Sequence, residues 1–472
     1  MLTSNSVPLV EELPSAQPAE ALFRRLAVRP YCLFLDSAMR HPTLGRYSFL
    51  AADPFEIVRV PADGTDALRI LQTKLQGYAA ARVSGLPPFQ GGAAGLFGYE
   101  LGRSLERIRP PAIDEFRVPA MAVGLYDVVL AFDHQESRAW IVSQGFPETE
   151  PARRARRAAE RLAWFRDLIK DRPSSSARPS AVAADERGLT LALAPQYPTP
   201  CSSGLTSNFS KAGYLRAVER AIEYILAGDV FQVNLSQRLL APARDDAVSL
   251  YLRLRRCNPA PFAGYFDLGE RQVASASPER FLKVFERAVE TRPIKGTRPR
   301  VGEPEVDRRA EAALAASEKD RAENVMIVDL LRNDISRTCQ ADSVKVGQLC
   351  AIEAYRHVLH LVSAVVGRLR DDCSPLDLLR YAFPGGSITG APKVRAMEII
   401  AELEPTARGA YCGSLGYVGF DGSTDLSILI RTITAGGGWR QLPVGGGIVA
   451  QSTPENEYDE TWHKAEGMLQ AL

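Results

Sequence analysis

The sequence has no run of eighteen uncharged apolar residues and no basic N-terminal stretch followed by an apolar core. A transmembrane helix needs about 20 apolar residues, and a signal peptide needs a basic start before its apolar core. The first thirty residues instead contain Glu11, Glu12 and several prolines. We therefore expect neither a membrane span nor a secretion signal.

Net charge is also nearly absent, because 57 Lys and Arg residues are balanced by 56 Asp and Glu residues in a chain of 472. Such a chain has no strong field to attract nucleic acid or an anionic membrane. The one strongly basic stretch, residues 151–171, combines closely spaced arginines with an apolar stripe at helical spacing. We interpret it as a surface helix packed through that stripe, not as a nucleic-acid-binding face.

Paired cysteines are missing as well. The seven cysteines are scattered, odd in number, and include no CxxC pair and no Cys/His spacing typical of a metal site. This pattern indicates a reduced, cytoplasmic protein.

Composition divides the chain into three parts: a sheet-rich region 1–171, a Pro-, Ser- and Ala-rich linker 172–210, and a region 211–472 that mixes helical and strand patterns. Helices and strands do not alternate regularly, which favours an α+β fold over a doubly wound parallel sheet. The periodicity also predicts a single strand over 121–132, a long helix over 303–333 and a single strand over 425–435.

A glycine-rich segment, Pro384-Gly-Gly-Ser-Ile-Thr-Gly-Ala-Pro-Lys393, is compatible with a phosphate-binding loop. It lacks a lysine directly after its last glycine, which disfavours a nucleotide triphosphatase. Ser387 also misses the nucleophile-elbow spacing, because Thr389 stands where that motif has glycine. General anion binding by this loop stays open.

Acidic residues occur three apart in two distant predicted helices, as Asp320 with Glu323 and Glu457 with Glu460. Positions three apart share a helix face, so two such helices facing each other would gather four carboxylates around one hard cation. The same spacing is common on solvated helices, and both interpretations stay open at this point.

Lys295 lies in a turn between Pro293 and Gly296, which would present its amine from a constrained backbone. An ordinary surface lysine is the alternative. Further along, Gly445, Gly446 and Gly447 can expose backbone N–H groups to a carboxylate, with Arg431 and Lys464 adding charge. His360, between two leucines, is by default a core histidine.

Taken together, these segments resemble the chorismate-utilising enzymes. The resemblance covers roughly 210–470 and extends more loosely to Phe34–Ala38 and Gly45–Phe49. The matching segments in the main part are Phe231-Gln-Val-Asn-Leu-Ser-Gln-Arg238, Ala276-Ser-Pro-Glu-Arg-Phe281, Arg292-Pro-Ile-Lys-Gly-Thr-Arg298, Lys319 to Asp334, His357 to Ser363, Phe383 to Met397 and Gly445 to Lys464. It implies a two-lobed fold of mainly antiparallel sheets flanked by helices, with the active site in a cleft and 211–472 as the catalytic domain.

Two positions separate the branches of this family. The members that form 4-amino-4-deoxychorismate have lysine at the position of Lys295, whereas the anthranilate-forming members typically have alanine there. Isochorismate- and salicylate-forming members carry a water-activating lysine where this chain has Gln232. The resemblance therefore implies amino transfer to C4 of chorismate. The alternatives are anthranilate formation and a non-catalytic, chorismate-binding subunit.

The resemblance also implies roles for individual residues. Lys295 would attack the chorismate ring and form a covalent adduct, with Glu279 as general acid/base and His360 as a further catalytic residue near the ring. Mg²⁺ would be bound directly by Glu323 and Glu460 and through water by Asp320 and Glu457. The remaining residues would contact substrate; these are Gln232, Ser387, Tyr411, Arg431, Gly445, Gly446, Gly447 and Lys464.

Ammonia must come from elsewhere, because no cysteine lies in a Gly-x-Cys-x-Gly elbow of a glutaminase. The resemblance implies a separate glutamine amidotransferase subunit as its source, and a product that feeds 4-aminobenzoate and folate. The Asp36-Ser37 region resembles the place where relatives bind tryptophan, but an ordinary strand-to-turn segment is an equal alternative.

Overall fold

The computed structural model describes residues 8–14, 17–40, 44–170, 191–201, 204–355 and 358–472. The helices are α1 (Ala19–Leu26), α2 (Ala67–Leu75), α3 (Gly102–Leu105), α4 (Pro151–Lys170), α5 (Lys211–Leu226), α6 (Ala247–Cys257), α7 (Pro304–Ala316), α8 (Glu318–Ser336), α9 (Pro375–Ala382), α10 (Lys393–Leu403) and α11 (Pro454–Leu469). Short 3₁₀ turns occur at Tyr99–Leu101, Ala341–Ser343 and Gly386–Ile388.

Strands make up the rest of the framework. They are β1 (Leu9–Glu12), β2 (Leu33–Asp36), β3 (Tyr47–Ala51), β4 (Glu56–Val60), β5 (Gly92–Phe97), β6 (Met121–Tyr126), β7 (Val128–Asp133), β8 (Arg138–Ser143), β9 (Tyr197–Pro198), β10 (Thr206–Ser207), β11 (Gln232–Pro242), β12 (Phe262–Asp267), β13 (Gln272–Ser277), β14 (Arg280–Phe285), β15 (Ala288–Arg292), β16 (Ile294–Pro299), β17 (Lys345–Ala354), β18 (Val358–Arg368), β19 (Gly390–Ala391), β20 (Ser414–Gly419), β21 (Thr424–Ile428), β22 (Thr432–Gly436) and β23 (Trp439–Ile448).

Two large antiparallel sheets organise the chain. The first has the order β1-β8-β7-β3-β2-β12-β13-β22-β23-β11-β10-β9, with β19 added beside β11. The second has the order β16-β18-β15-β14-β21-β20-β5-β6-β4, with β17 also paired to β18. Helices flank both sheets, so the predicted α+β class of mainly antiparallel sheets is confirmed.

Each sheet combines a block of strands from the first 143 residues with a block from the later part of the chain. In the first sheet β2 pairs with β12, and in the second β5 pairs with β20. Buried side chains from the two sheets also pack on each other, as Phe49 and Phe266 of the first do with Leu96 and Tyr417 of the second. The predicted division at 171 and 211 stays a prediction, and residues 172–190 of the predicted linker 172–210 lie outside the described residues.

Two predicted single strands are each divided between the sheets. The stretch 121–132 splits at Asp127 into β6 of the second sheet and β7 of the first, and 425–435 splits into β21 and β22 in the same way. Asp127 is fully buried and forms ion pairs with Arg157 and Arg161 of α4, at 3.7 and 3.3 Å. Strand periodicity does not show that Asp127 is buried and paired with arginines far away in the sequence. The two single-strand predictions were therefore wrong.

The predicted long helix over 303–333 is two helices, α7 and α8. The break falls at Ser317, whose hydroxyl accepts a hydrogen bond of 3.3 Å from the backbone N–H of Asp320 and so caps α8. An N-terminal cap satisfies one of the free N–H groups of a helix start. This cap fixes the start of α8, the helix that carries the predicted metal ligands Asp320 and Glu323.

The arginines of α4 are used inside the fold. Arg154 donates to the carbonyl of Gln144 at 2.8 Å, Arg157 donates to the carbonyl of Phe146 at 2.8 Å, and Arg161 binds Asp53 at 3.0 Å. The apolar stripe of the helix packs against the first sheet. Within the part of the chain that the structure describes, no helix is long and apolar enough to cross a membrane.

Candidate active site

Lys295 lies on β16 at an irregularity in the pairing with β18. The register shifts between Lys295 and Thr297, at Gly296, which has φ +70°. A Cβ atom at Gly296 would lie 2.9 Å from Leu314 Cδ1 and 2.9 Å from Asp320 Cγ. Glycine suits position 296 because it adopts the left-handed backbone and has no Cβ atom to clash with α7 and α8. The bulge also changes the direction of the Lys295 side chain.

The amine of Lys295 is buried beside two oxygen acceptors. Its Nζ donates to the backbone carbonyl of Ser387 at 3.4 Å and lies 4.0 Å from Glu323 Oε2. Only 11% of the side chain is exposed, so the alternative of an ordinary surface lysine is wrong. Burial lowers the pKa of Lys295, although Glu323 and Glu279 oppose that change. A larger fraction of the amine is therefore neutral than in water.

Glu279 lies in the turn between β13 and β14 and is 4% exposed. Its Oε1 accepts a hydrogen bond of 2.7 Å from the Ser387 hydroxyl. Burial raises the pKa of Glu279 to about 7, although Ser387 and Lys295 favour the charged form. A carboxyl group with a pKa near neutrality can both donate and accept a proton at physiological pH. Ser387 thus connects the predicted nucleophile with the predicted acid/base.

His360 lies on β18 and is nearly buried, with 8% exposed. Its Nδ1 is 2.9 Å from Thr297 Oγ1, and burial together with Arg431 lowers the pKa of His360 to about 4. The ring is therefore neutral at physiological pH. The register pairs His360 with Thr297, two residues from Lys295, so the histidine and the lysine share one strand pair.

The four predicted metal ligands lie on α8 and α11, and each is paired with a cation of the chain. Arg298 binds Asp320 at 3.3 Å, and Lys464 pairs with Glu460. The ammonium of Lys319 bridges the two helices, 3.9 Å from Glu323 and 3.7 Å from Glu457. The two acidic helix faces are therefore close to each other, which is the condition for the four carboxylates to share one cation.

Glycine at position 446 allows α11 to approach β23. A Cβ atom there would lie 3.2 Å from Glu457 Oε2, 3.3 Å from Lys464 Nζ and 3.4 Å from Glu460 Oε1. Lys464 also donates to the carbonyl of Gly445 at 2.8 Å. The glycine run and the acidic helix thus form one continuous surface of the site.

A divalent cation fits these carboxylates by their chemistry. Glu457 accepts a 2.6 Å hydrogen bond from Ser452 through Oε1, but its buried Oε2 has no partner among the described residues. Burial raises the pKa of both Glu323 and Glu457, and neighbouring carboxylates add to this effect. The pKa of Glu460 is lowered, because the pairing with Lys464 outweighs the partial burial of this half-exposed carboxylate. Across the described ranges, however, no three Asp, Glu, His or Cys side chains are already gathered as for a bound ion.

Gln232 is fully buried at the start of β11, against the glycine run. Neither its Oε1 nor its Nε2 has a hydrogen-bond partner in the described part of the chain. A Cβ atom at Gly447 would lie 2.8 Å from Gln232 Nε2. A buried amide with both ends unpaired is costly unless a ligand satisfies it, which supports a ligand contact at this position.

Arg431 and Tyr411 complete the group. Arg431 lies between β21 and β22, where the chain changes sheets, and has φ +53°. Burial lowers the pKa of Arg431, while Tyr411, Glu460 and Glu279 act in the opposite direction. Arg431 is therefore near enough to Glu279 and to Glu460 of α11 for their charges to favour its protonated form.

Lys319 and Ser452 were missed as site residues. Lys319 contacts two predicted metal ligands, and Ser452 orients Glu457. Lys319 lies four residues before Glu323, a spacing at which side chains on a helix meet, so this contact had a sequence signal. The contact of Lys319 with Glu457 crosses between helices and had none.

The Asp36-Ser37 region lines a cavity of about 100 Å³ between β2 and β20. Asp36 is bound within the chain, since Tyr251 donates to Oδ2 at 3.0 Å and Ser48 donates to Oδ1 at 3.2 Å. Arg255 also binds Oδ2. These contacts are sufficient to explain Asp36 as a structural residue, and the tryptophan prediction stays open.

Comparison with known proteins supports the resemblance to the chorismate-utilising enzymes. Residues 34–470 match the model of a family described as chorismate binding enzyme. Aminodeoxychorismate synthase component 1 of Salmonella typhimurium is 40% identical over 98% of this chain and 98% of its own. Anthranilate synthase component 1 of Streptomyces coelicolor is also 40% identical, over 99% of this chain and 89% of its own.

A solved structure agrees with these matches. Anthranilate synthase component I from Streptococcus pneumoniae superposes with a TM-score of 0.75 at 30% identity, covering 91% of this chain and 93% of that one. The two component 1 relatives are equally identical to this chain but are named for different synthases, so identity does not distinguish between their reactions. Both relatives indicate the same family. With a match over 34–470 and relatives aligned along nearly the whole length, this chain belongs to the chorismate binding enzymes.

Proposed function

We propose that the protein converts chorismate and ammonia to 4-amino-4-deoxychorismate through a covalent adduct on Lys295. The observation that carries this proposal is the buried amine of Lys295, linked through Ser387 to a carboxyl group whose pKa is raised to about 7. A nucleophilic lysine must lose its proton, and burial lowers the pKa of Lys295. The nearby Glu279 then has the right proton affinity to serve both halves of the reaction.

In the first half, the neutral Lys295 amine attacks C2 of the chorismate ring and forms a C–N bond. The ring double bonds shift, the C4–O bond breaks, and Glu279 gives its proton to the departing hydroxyl, which leaves as water. The Glu279 carboxylate then takes the excess proton from the secondary ammonium on Lys295.

In the second half, ammonia attacks C4 while the double bonds shift back and the C2–N bond to Lys295 breaks. Glu279 returns its proton to the leaving amine, and the proton released from the new C4 ammonium restores Glu279. The sum is chorismate plus ammonia giving 4-amino-4-deoxychorismate plus water. His360, neutral and bonded to Thr297, is proposed to lie against the ring.

Four carboxylates are proposed to hold Mg²⁺: Glu323 and Glu460 directly, and Asp320 and Glu457 through water. When bound, the ion would supply positive charge that holds the ring carboxylate of chorismate. The partnerless Oε2 of Glu457 supports a ligand at this place. Arg431, Tyr411, Lys464 and the backbone of the Gly445–Gly447 run are proposed to bind the enolpyruvyl carboxylate.

We further propose that ammonia comes from a separate glutamine amidotransferase subunit, since the relatives are named as component 1 of their synthases. The product would feed 4-aminobenzoate and folate synthesis. We propose the cytoplasm as the location, because all seven cysteines are free thiols, three of them buried.

Anthranilate formation is the second candidate, because an anthranilate synthase component matches at the same identity. A non-catalytic chorismate-binding subunit is a third. Incubating the purified chain with chorismate, Mg²⁺ and an ammonium salt separates them. We expect a product that aminodeoxychorismate lyase converts to 4-aminobenzoate. Fluorescent anthranilate would contradict the proposal, and binding of chorismate without turnover would support the third candidate.

A further inference from the structure

Arg408 is a buried arginine, 3% exposed, that no step above uses. It follows α10 and precedes Tyr411 by three residues. Its guanidinium forms a two-pronged pair with Glu404, Nε to Oε2 at 2.8 Å and Nη2 to Oε1 at 2.7 Å. A planar guanidinium held this way has its remaining N–H groups fixed in direction.

Those remaining N–H groups bind the backbone of two segments that carry the site. Nη1 donates to the carbonyl of Ile388 at 3.0 Å, and Nη2 donates to the carbonyl of Asn234 at 2.8 Å. Ile388 directly follows Ser387. Asn234 lies on β11, two residues after Gln232 and opposite Gly447.

The backbone and ring contacts of Arg408 connect it to a third segment. The Arg408 carbonyl accepts a hydrogen bond of 3.1 Å from the N–H of Tyr411, and the guanidinium lies 5.8 Å from the Tyr411 ring centre. Its own N–H donates to buried Glu100 at 2.9 Å. Arg408 is thus attached through its side chain to the Ser387 turn and to the Gln232 strand, and through its backbone to the loop of Tyr411.

We propose that Arg408 is a positioning residue that fixes the 3₁₀ turn of Ser387, so that one serine engages both Lys295 and Glu279. The inference rests on the proposed function, because it assigns the Lys295–Ser387–Glu279 arrangement to catalysis. The residues just after the turn are held to β11 without Arg408: the Thr389 carbonyl accepts a hydrogen bond of 2.7 Å from the Asn234 N–H, and Gly390 pairs with Val233. Arg408 instead holds the carbonyl of Ile388, the residue next to Ser387. Loss of the Arg408 bond to Ile388 would therefore change the orientation of Ser387 while the end of the turn stays attached to β11.

Strand β11, which carries Gln232 and Asn234, also offers a matched control. Arg238 on β11 is 2% exposed and also pairs with a buried glutamate, Glu115. It donates to Gln196 at 3.1 Å, and neither partner belongs to the site. Arg238→Lys therefore removes a buried guanidinium that is also paired with a buried glutamate, without removing a bond to the Ser387 turn.

A double-mutant cycle tests the inference, with chorismate consumption, whatever the product, and the melting temperature measured for each variant. Arg408→Lys should lower kcat by about 10- to 100-fold, the size expected for a misplaced catalytic group. Combined with Ser387→Ala, it should lower kcat by less than the product of the two single losses, because both changes remove the hydrogen bond to Glu279 and only Arg408→Lys also displaces the Ser387 carbonyl from Lys295. Arg238→Lys should also lower the melting temperature, because it too breaks a buried ion pair, but should leave kcat near that of the wild type.

Two outcomes overturn the inference: losses of Arg408→Lys and Ser387→Ala that multiply, or a kcat of Arg408→Lys equal to that of Arg238→Lys. If Arg408→Lys does not fold, Glu404→Gln replaces it in the cycle, with the same non-additivity expected. If the wild type consumes chorismate but forms another product, only the proposed function fails. A wild type that consumes no chorismate overturns both.

Discussion

The Ser387 hydroxyl donates a 2.7 Å hydrogen bond to Glu279 Oε1, while the backbone carbonyl of the same serine accepts from Lys295. The two contacts use different atoms of Ser387. They can therefore be separated by mutation, because alanine removes the hydroxyl and keeps the carbonyl.

Ser387→Ala should raise the pKa of Glu279 above its value of about 7, since the hydroxyl stabilises the carboxylate. Glu279 begins the proposed reaction as a proton donor, so the loss of kcat at high pH should move upward by about one pH unit. The pH–rate profile measures this shift. Ser427→Ala, at a buried serine that donates to Leu415, is the control. An unchanged high-pH limb would count against Glu279 as the acid.

Glu279 should also make the fold less stable at high pH. Its folded-state pKa is raised, so the folded state binds a proton more tightly than the unfolded state, and stability falls as pH rises from about 4.5 to about 7. The loss amounts to about 3 kcal/mol. Relative to the wild type, Glu279→Gln should therefore gain stability in urea unfolding between pH 5 and pH 8. Glu305→Gln, on the exposed face of α7, should not, and an equal pH response in all three proteins would refute the burial argument.

Substitutions of Lys319 and of Glu460 should change the Mg²⁺ affinity in opposite directions. Lys319→Met removes a cation that lies 3.9 Å from Glu323 and 3.7 Å from Glu457, so the dissociation constant should fall by about two- to fivefold. Glu460→Gln removes a proposed ligand and should raise it by at least about tenfold. Calorimetric titration with Mg²⁺ measures both. Identical constants for wild type and Glu460→Gln would remove Glu460 from the metal site.

Gly447→Ala should damage substrate binding because its Cβ would lie 2.8 Å from Gln232 Nε2. Overpacking of this kind costs about 1–3 kcal/mol, and here the displaced group is a proposed substrate contact. We expect a higher KM for chorismate. The control is Gly347→Ala on β17, where the nearest atom would be 3.7 Å away. Equal KM values in the two variants would place Gln232 outside the substrate site.

The sequence predicted the elements well where periodicity was local. Helix α4, for example, is formed over every described residue of the predicted helix 151–171. The failures at Asp127 and at Arg431 share a cause, because at both places the chain passes from one sheet to the other. Such a crossing depends on partners far away in sequence, such as Arg161 for Asp127.

For the site, spacing predicted which carboxylates share a helix face, and the structure brings α8 and α11 together through Lys319. The family resemblance predicted Lys295 as nucleophile and Glu279 as general acid/base. The local sequence alone could not show that these two side chains lie near the same serine. The role of Ser387 as their bridge depends on the 3₁₀ turn at Gly386–Ile388, which no periodicity in the sequence indicated.

The most direct test of the central claim is the mass of the Lys295 peptide during turnover. Wild-type protein is mixed with chorismate and Mg²⁺ without ammonia, quenched and digested, and the peptide that contains Lys295 is weighed. The proposed mechanism predicts an increase equal to chorismate less one water, absent from Lys295→Ala. An unmodified Lys295 in a protein that still consumes chorismate once ammonium is added, or turnover by Lys295→Ala at the wild-type rate, would contradict it.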